Sequence, residues 1–155
     1  MTTTEQNAIA EYKSATPAGK KLLEKIFGPE LFAGKPSTFE EAHTLFLKKK
    51  FKDPLFLILQ KREVKELTAS DKLIIIANIL QGDWKPDWSN SNQYKYYPWF
   101  RYDKTKSGFG FSITYYDLVF SFASVGSRLC FPDSDTAEYF GKQFLALHND
   151  FLTIK

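Results

Sequence analysis

From Gly108 onward the chain alternates large rings with small or polar residues, and that alternation narrows its choice of fold more than any other feature. Phe109, Phe111, Ile113 and Tyr115 are interleaved with Gly108, Gly110, Ser112 and Thr114, the period of a strand with one face packed. Leu118, Phe120 and Phe122 repeat the pattern, as do Val125, Ser127, Leu129 and Phe131 against Gly126, Arg128 and Cys130. Upstream, Tyr94 to Tyr102 reads as a further strand, with Pro98 marking an edge position or a bulge. These runs predict an antiparallel meander of three to four strands. The segment 84–131 also holds more than half of the chain's aromatic residues and all three tryptophans.

Helical patterns flank the meander. Thr16 and Pro17 form an N-cap followed by proline at the first helical position. Leu22, Leu23, Ile26 and Phe27 make an apolar stripe that Gly28 and Pro29 stop. A second helix opens at Ser37 or Thr38, with Glu41 placed for a capping box. Asp53 and Pro54 interrupt the pattern, and periodicity does not assign Leu55 to Leu59. Another helix runs from about Ser70 to Gln81, apolar on most sides, and ends at Gly82. After Asp133 or Ser134, the residues Ala137, Phe140, Gly141, Phe144, Leu147, His148 and Phe151 recur at helical spacing, so one last helix is expected to lie across the sheet. The expected class is therefore α+β: N-terminal helices over 1–83, the meander over 84–131, and a C-terminal helix over 132–155 packed on the sheet. At 155 residues these parts fit a single domain, 1–155.

Cys130 is the sole cysteine, which points to a reducing compartment. Met1 to Asn7 is polar, unlike a signal peptide, and no apolar run approaches the roughly 20 residues of a membrane span. A cytoplasmic location is expected, with no membrane partner. The net charge of +3 is too small to argue for nucleic acid by itself. The run Lys48, Lys49 and Lys50 suits a solvated helix end.

Catalysis needs a perturbed acid, base or nucleophile beside a partner, and the sequence offers few. His43 sits beside the apolar face of a predicted helix, and His148 falls within the C-terminal stripe. Cys130 shares a predicted strand face with Arg128, which could activate a thiol, yet no base accompanies it. Asp83 and Asp87 flank Trp84 in a turn-rich loop, and Asp133 and Asp135 suit a helix start. The G-x-G within Ser107-Gly-Phe-Gly-Phe-Ser112 precedes no helix and is neither a phosphate loop nor a dinucleotide fingerprint. No catalytic set, metal site or cofactor is expected.

One feature can carry binding. On the strand from Tyr94 to Tyr102, alternation puts Lys95, Tyr97, Trp99 and Arg101 on one face, with Tyr94, Tyr96, Phe100 and Tyr102 on the other. If the second set meets the C-terminal helix, the first faces outward, and Arg128 joins it if its strand is adjacent. Such a face could stack bases or sugars, with the cations on phosphate. It could equally be a protein interface, where Trp, Tyr and Arg concentrate, or core covered on both sides. Trp84 and Trp88 read as pins holding the inter-zone loop to the core.

Trp84-Lys-Pro-Asp-Trp88, Tyr96-Tyr-Pro-Trp-Phe100, Ser107-Gly-Phe-Gly-Phe-Ser112, Val125-Gly-Ser-Arg-Leu-Cys-Phe131 and Gly141-Lys-Gln-Phe144 together resemble a group of uncharacterised small proteins of bacteriophages and prophages of gut Bacteroidetes. The resemblance spans roughly residues 70–152. It implies a phage-encoded protein that acts inside the host cell or is built into the virion, and it transfers no catalytic residue. The expectation is a non-enzymatic binding module working through Lys95, Tyr97, Trp99, Arg101 and Arg128. Its partner is a protein or a second copy of itself; the alternatives are single-stranded nucleic acid or a nucleotide, and a small enzyme.

Overall fold

A computed structural model of the protein describes residues 3–28, 34–105, 108–117 and 128–153. It is α+β, with seven α-helices and a two-stranded antiparallel sheet among the described residues. The chain forms two compact units, Met1–Lys35 and Pro36–Lys155. No described helix is long and apolar enough to cross a membrane.

The first unit pairs α1 (Thr3–Ser14) with α2 (Pro17–Phe27). The start of α2 is the one its sequence announces. The Thr16 hydroxyl accepts from the Gly19 N–H at 3.2 Å and Pro17 occupies the first turn. Gly28 then takes φ 85°, returning its N–H to Glu24, a conformation that costs glycine little. The Tyr12 hydroxyl donates to the Glu24 carboxylate, and the Lys20 ammonium lies 5.2 Å from the Tyr12 ring centroid. The helix α1 lies in the part expected to be helical, but no pattern singled it out: Thr3–Ser14 lacks a regular apolar stripe.

The second unit begins with α3 (Phe39–Lys48), α4 (Pro54–Lys61), a 3₁₀ turn (Val64–Glu66) and α5 (Ala69–Gln81). Each α-helix is capped by the residue before it: Thr38 accepts from Glu41, Asp53 from Leu55, and Thr68 from Asp71. The unassigned run at 55–59 thus belongs to a helix started by the Asp-Pro pair. Buried on most sides, α5 contributes Leu73, Ile75, Ile76 and Ala77 to the core. Phe46, Leu59, Phe131 and Phe140 close around them, and Gly82 ends the helix at φ 60°.

The strands β1 (Lys95–Asp103) and β2 (Gly108–Asp117) pair antiparallel, with Tyr97 opposite Tyr115 and Trp99 opposite Ile113. Beyond Trp99 the register shifts, so that Phe100 faces Phe111 and Ser112 is left over as a bulge. Among the described residues, the other edge of β1 carries a single bridge: Tyr96 and Phe131 exchange N–H···O bonds of 3.0 and 2.7 Å. Alternation points the nitrogen of Pro98 toward that same edge, where no β2 carbonyl waits for an N–H, which is why the strand tolerates proline. The strands expected at 118–122 and 125–127 lie outside the described residues. Arg128 does not extend the sheet.

The C-terminal segment is two helices rather than the expected one: α6 (Ser134–Gln143) and α7 (Leu145–Leu152), broken at Phe144, whose φ and ψ are −107° and 28°. No proline or glycine marks the break, and the apolar stripe runs straight through it. Beyond it, the His148 ring lies 4.4 Å from the Phe100 ring, tilted by 36°. Asn149 meanwhile acts as a strand partner for Phe109, accepting from its N–H at 2.6 Å and donating to its carbonyl at 2.9 Å. Gly141 delivers the close approach of α6: a β-carbon there would sit 2.6 Å from both Pro98 and Phe111.

Candidate binding surface

The bulge at Ser112 decides what the sheet shows to solvent. By alternation alone Phe109, Phe111, Ile113 and Tyr115 share a face. One extra residue flips the side chains beyond it. Phe109 and Phe111 therefore turn to the helices, opposite Tyr102 and Phe100, while Ile113 and Tyr115 turn outward, opposite Trp99 and Tyr97. The outer face therefore combines Lys95, Tyr97, Trp99 and Arg101 of β1 with Ile113 and Tyr115 of β2.

Only half of that face is open. Trp99, Ile113 and Tyr115 are 47%, 54% and 56% exposed, and Arg101 is exposed beside them. Lys95 and Tyr97 do not project into water as expected: they are 0% and 4% exposed. The loop over residues 84–93 is responsible at Lys95. The Lys95 ammonium donates to the Asn90 carbonyl at 2.9 Å and lies 5.5 Å from the Trp88 ring centroid. Its charge is held by a carbonyl and an aromatic face. The loop is self-supporting. Asp87 accepts from the Ser89 hydroxyl and N–H at 2.6 and 2.9 Å, and those bonds, the hydroxyl first, hold its carboxyl below the usual carboxylate range. Asp87 is thus a turn residue, not half of an acid pair.

Arg128 leaves the expected surface altogether. Its guanidinium donates to Asp53 at 3.0 Å and lies over the Phe56 ring at 5.8 Å, which ties the end of the sheet region to the start of α4. Of the five residues expected to bind, Trp99 and Arg101 stand together on open surface, Lys95 and Tyr97 form its covered flank, and Arg128 is elsewhere. Ile113 and Tyr115 are the residues the sequence reasoning missed.

The open patch has a defined shape. The Trp99 and Tyr115 rings are 6.0 Å apart and tilted by 45°, and Tyr115 is 6.3 Å from Tyr97 at 41°. Gly110 lies opposite Arg101, and a β-carbon there would meet nothing within 4 Å. The space above the β2 backbone at that point is therefore open. No family model, curated protein or solved structure matches the chain.

The candidates for chemistry sit apart from this patch. Cys130 is buried. His148 is buried between Phe100 and Phe140, 4.4 and 4.7 Å from their centroids. Burial pushes its pKa down to about 4, against a smaller upward pull from the Phe140 carbonyl. His43 stacks on Phe39 at 5.3 Å. Among the described residues, no cluster of three or more His, Cys, Asp or Glu is placed to hold a metal ion.

Proposed function

We propose that this chain is a non-enzymatic binding module that captures a protein partner through Trp99, Ile113 and Tyr115, with Arg101 beside them. The observation that carries the reading is the exposure of three large apolar side chains on one continuous sheet face, next to Arg101, whose guanidinium makes no hydrogen bond or ion pair among the described residues. Exposed aromatic and arginine side chains are what binding hot spots use. Two of the three cations expected to hold phosphate are already engaged, Lys95 by its own loop and Arg128 by Asp53, which weighs against nucleic acid. The buried settings of Cys130 and His148 weigh against an enzyme. The resemblance of residues 70–152 to phage and prophage proteins supports a phage-encoded origin, and with it a place in the host cytoplasm or in the virion.

The double substitution W99A/R101A tests the proposal. Partner capture is expected to vanish while stability moves by less than about 0.5 kcal/mol, as surface changes usually do. A melting temperature that falls sharply would mean that these side chains are core. Capture is also expected to change little with salt. A steep loss with rising salt, or a gel shift with single-stranded DNA, would favour the nucleic-acid reading, because phosphate contacts release counterions.

A further inference from the structure

The segment 47–65 carries seven lysines and arginines against two carboxylates, a net +5 in a chain whose total is +3. The net positive charge thus gathers over the last turn of α3, α4 and the start of the 3₁₀ turn, and the rest of the chain is net negative. Both carboxylates are engaged. Asp53 caps α4 and accepts from Arg128, and Glu63 pairs with Lys65 at 2.7 Å. On the basic side, Arg62 is held by Asp71 at 3.2 Å and Lys49 turns to the Gly82 carbonyl at 3.4 Å. Lys48, Lys50, Lys52 and Lys61 remain. Each is exposed, and none makes a hydrogen bond or ion pair among the described residues.

The fold gathers these four at one corner. The Gln60 side-chain amide donates to the Phe46 and Lys49 carbonyls at 3.0 and 2.9 Å, which fastens the end of α4 beside the end of α3. Lys61 follows Gln60 directly, and Lys48 and Lys50 flank Lys49. Large aliphatic side chains are open on the same elements. Leu57 and Ile58 of α4 are 40% and 49% exposed, and their spacing puts them on the helix surface of Lys61. Leu47 and Val64, at the two ends of the segment, are open to a similar degree.

Lysine and aliphatic side chains together narrow the partner. Protein interfaces are enriched in aromatic residues, methionine and arginine and depleted in lysine. Single-stranded nucleic acid is held by stacking on aromatic rings, and its phosphates leave open leucine and isoleucine unanswered. An anionic bilayer surface answers both. Its headgroups take the ammonium groups, its acyl boundary takes the aliphatic tips, and lysine stems reach between the two. The expectation of no membrane partner rested on span length, and a patch that lies on the surface needs no span.

We propose that the corner between α3 and α4, with Lys48, Lys50, Lys52 and Lys61 around Leu57 and Ile58, docks the protein on an anionic lipid bilayer. This patch shares no residue with the sheet face and does not depend on its reading. The test sediments the full chain with vesicles of equimolar phosphatidylserine and phosphatidylcholine and, in parallel, with vesicles of phosphatidylcholine alone. The protein is expected to travel with the first and to stay in solution with the second. The bound fraction should fall as salt screens the headgroups. Each lysine near such a surface contributes about fivefold in affinity, so K50Q/K52Q should bind about 25-fold more weakly. L57S/I58S removes the inserted tips and should weaken binding by about tenfold or more. All four side chains are exposed, so both variants should keep the parent's melting temperature.

Equal binding to the two kinds of vesicle, no binding to either at low salt, or undiminished binding by either double variant would each overturn the proposal. A gel shift with DNA that K50Q/K52Q abolishes, without vesicle binding, would overturn it in favour of nucleic acid. W99A/R101A is expected to bind vesicles as the parent does, and a loss confined to that variant would move the lipid contact to the sheet face. If vesicles are ignored while W99A/R101A still abolishes partner capture, the protein-binding face stands and only the lipid patch falls.

Discussion

His148 sits where a proton is hard to accommodate. Its ring lies between Phe100 and Phe140, and its Nε2 has no hydrogen-bond partner among the described residues. An unfolded chain takes up this proton near pH 6.5, whereas the folded one resists it down to about 4. The unfolded state therefore binds more protons between those values. The stability contributed by the neutral ring is whole above about pH 6.5 and is lost as the pH falls toward 4, by about 3 kcal/mol in all. His148→Phe should flatten this part of the stability curve relative to the parent chain. Urea titrations at pH 7, 5.5 and 4.5 would show it, and an unchanged acid slope in the variant would contradict the assignment. Gly141 is the other residue whose surroundings dictate the outcome. Alanine there gains up to about 1 kcal/mol of helix propensity, but its methyl would lie 2.6 Å from both Pro98 and Phe111. Overpacking costs about 1–3 kcal/mol, and the Pro98 ring has little freedom to yield. Gly141→Ala is thus expected to destabilise by about 1–2 kcal/mol, read from the shift of the urea midpoint.

At the scale of elements, the loop over 84–93 and the outer face depend on each other through Lys95. Lys95→Met keeps most of the buried stem and removes the donor to Asn90. A hydrogen bond to a charged group contributes about 1.5–3 kcal/mol, so the loop should lose its tether. Amide exchange over 84–93 is expected to accelerate while α5 keeps its protection; unchanged exchange in the loop would show that its own turns and the Trp88 ring hold it without the ammonium. This burial was hidden in the sequence, because alternation tells which residues share a face and not what lies over it. The starts of α2 and α3 were plain, since Thr16 and Thr38 each cap by a local bond, whereas the Asp53 cap was read as an interruption. The end at Gly82 was equally local. The bulge at Ser112 and the break at Phe144 left no such mark. Both lie near long-range contacts that no local pattern records, Phe111 against Gly141 and Asn149 on the Phe109 backbone. For that reason Trp99 and Arg101 were legible as surface from β1 alone, whereas Ile113 and Tyr115 were not.

At the scale of the molecule, the two units differ in what they can sustain. The buried core is drawn from residues between Phe39 and Phe144, all within Pro36–Lys155. That unit carries both strands, the Tyr96–Phe131 bridge and the tie from Arg128 to Asp53. The first unit offers two helices of 12 and 11 residues, lengths that are marginal in water without packing partners. In α2 no residue is buried, and Leu22 and Ile26 stay exposed. A chain starting at Pro36 should therefore keep a cooperative thermal transition and the near-ultraviolet dichroism of its packed rings. A peptide of residues 1–35 should show little helix by far-ultraviolet dichroism. The proposed binding surface belongs wholly to the larger unit, so the shortened chain should also keep partner capture and its sensitivity to W99A/R101A. Loss of the cooperative transition in that chain would mean that the first 35 residues help to close the core, and the surface would then have to be studied on the full chain alone.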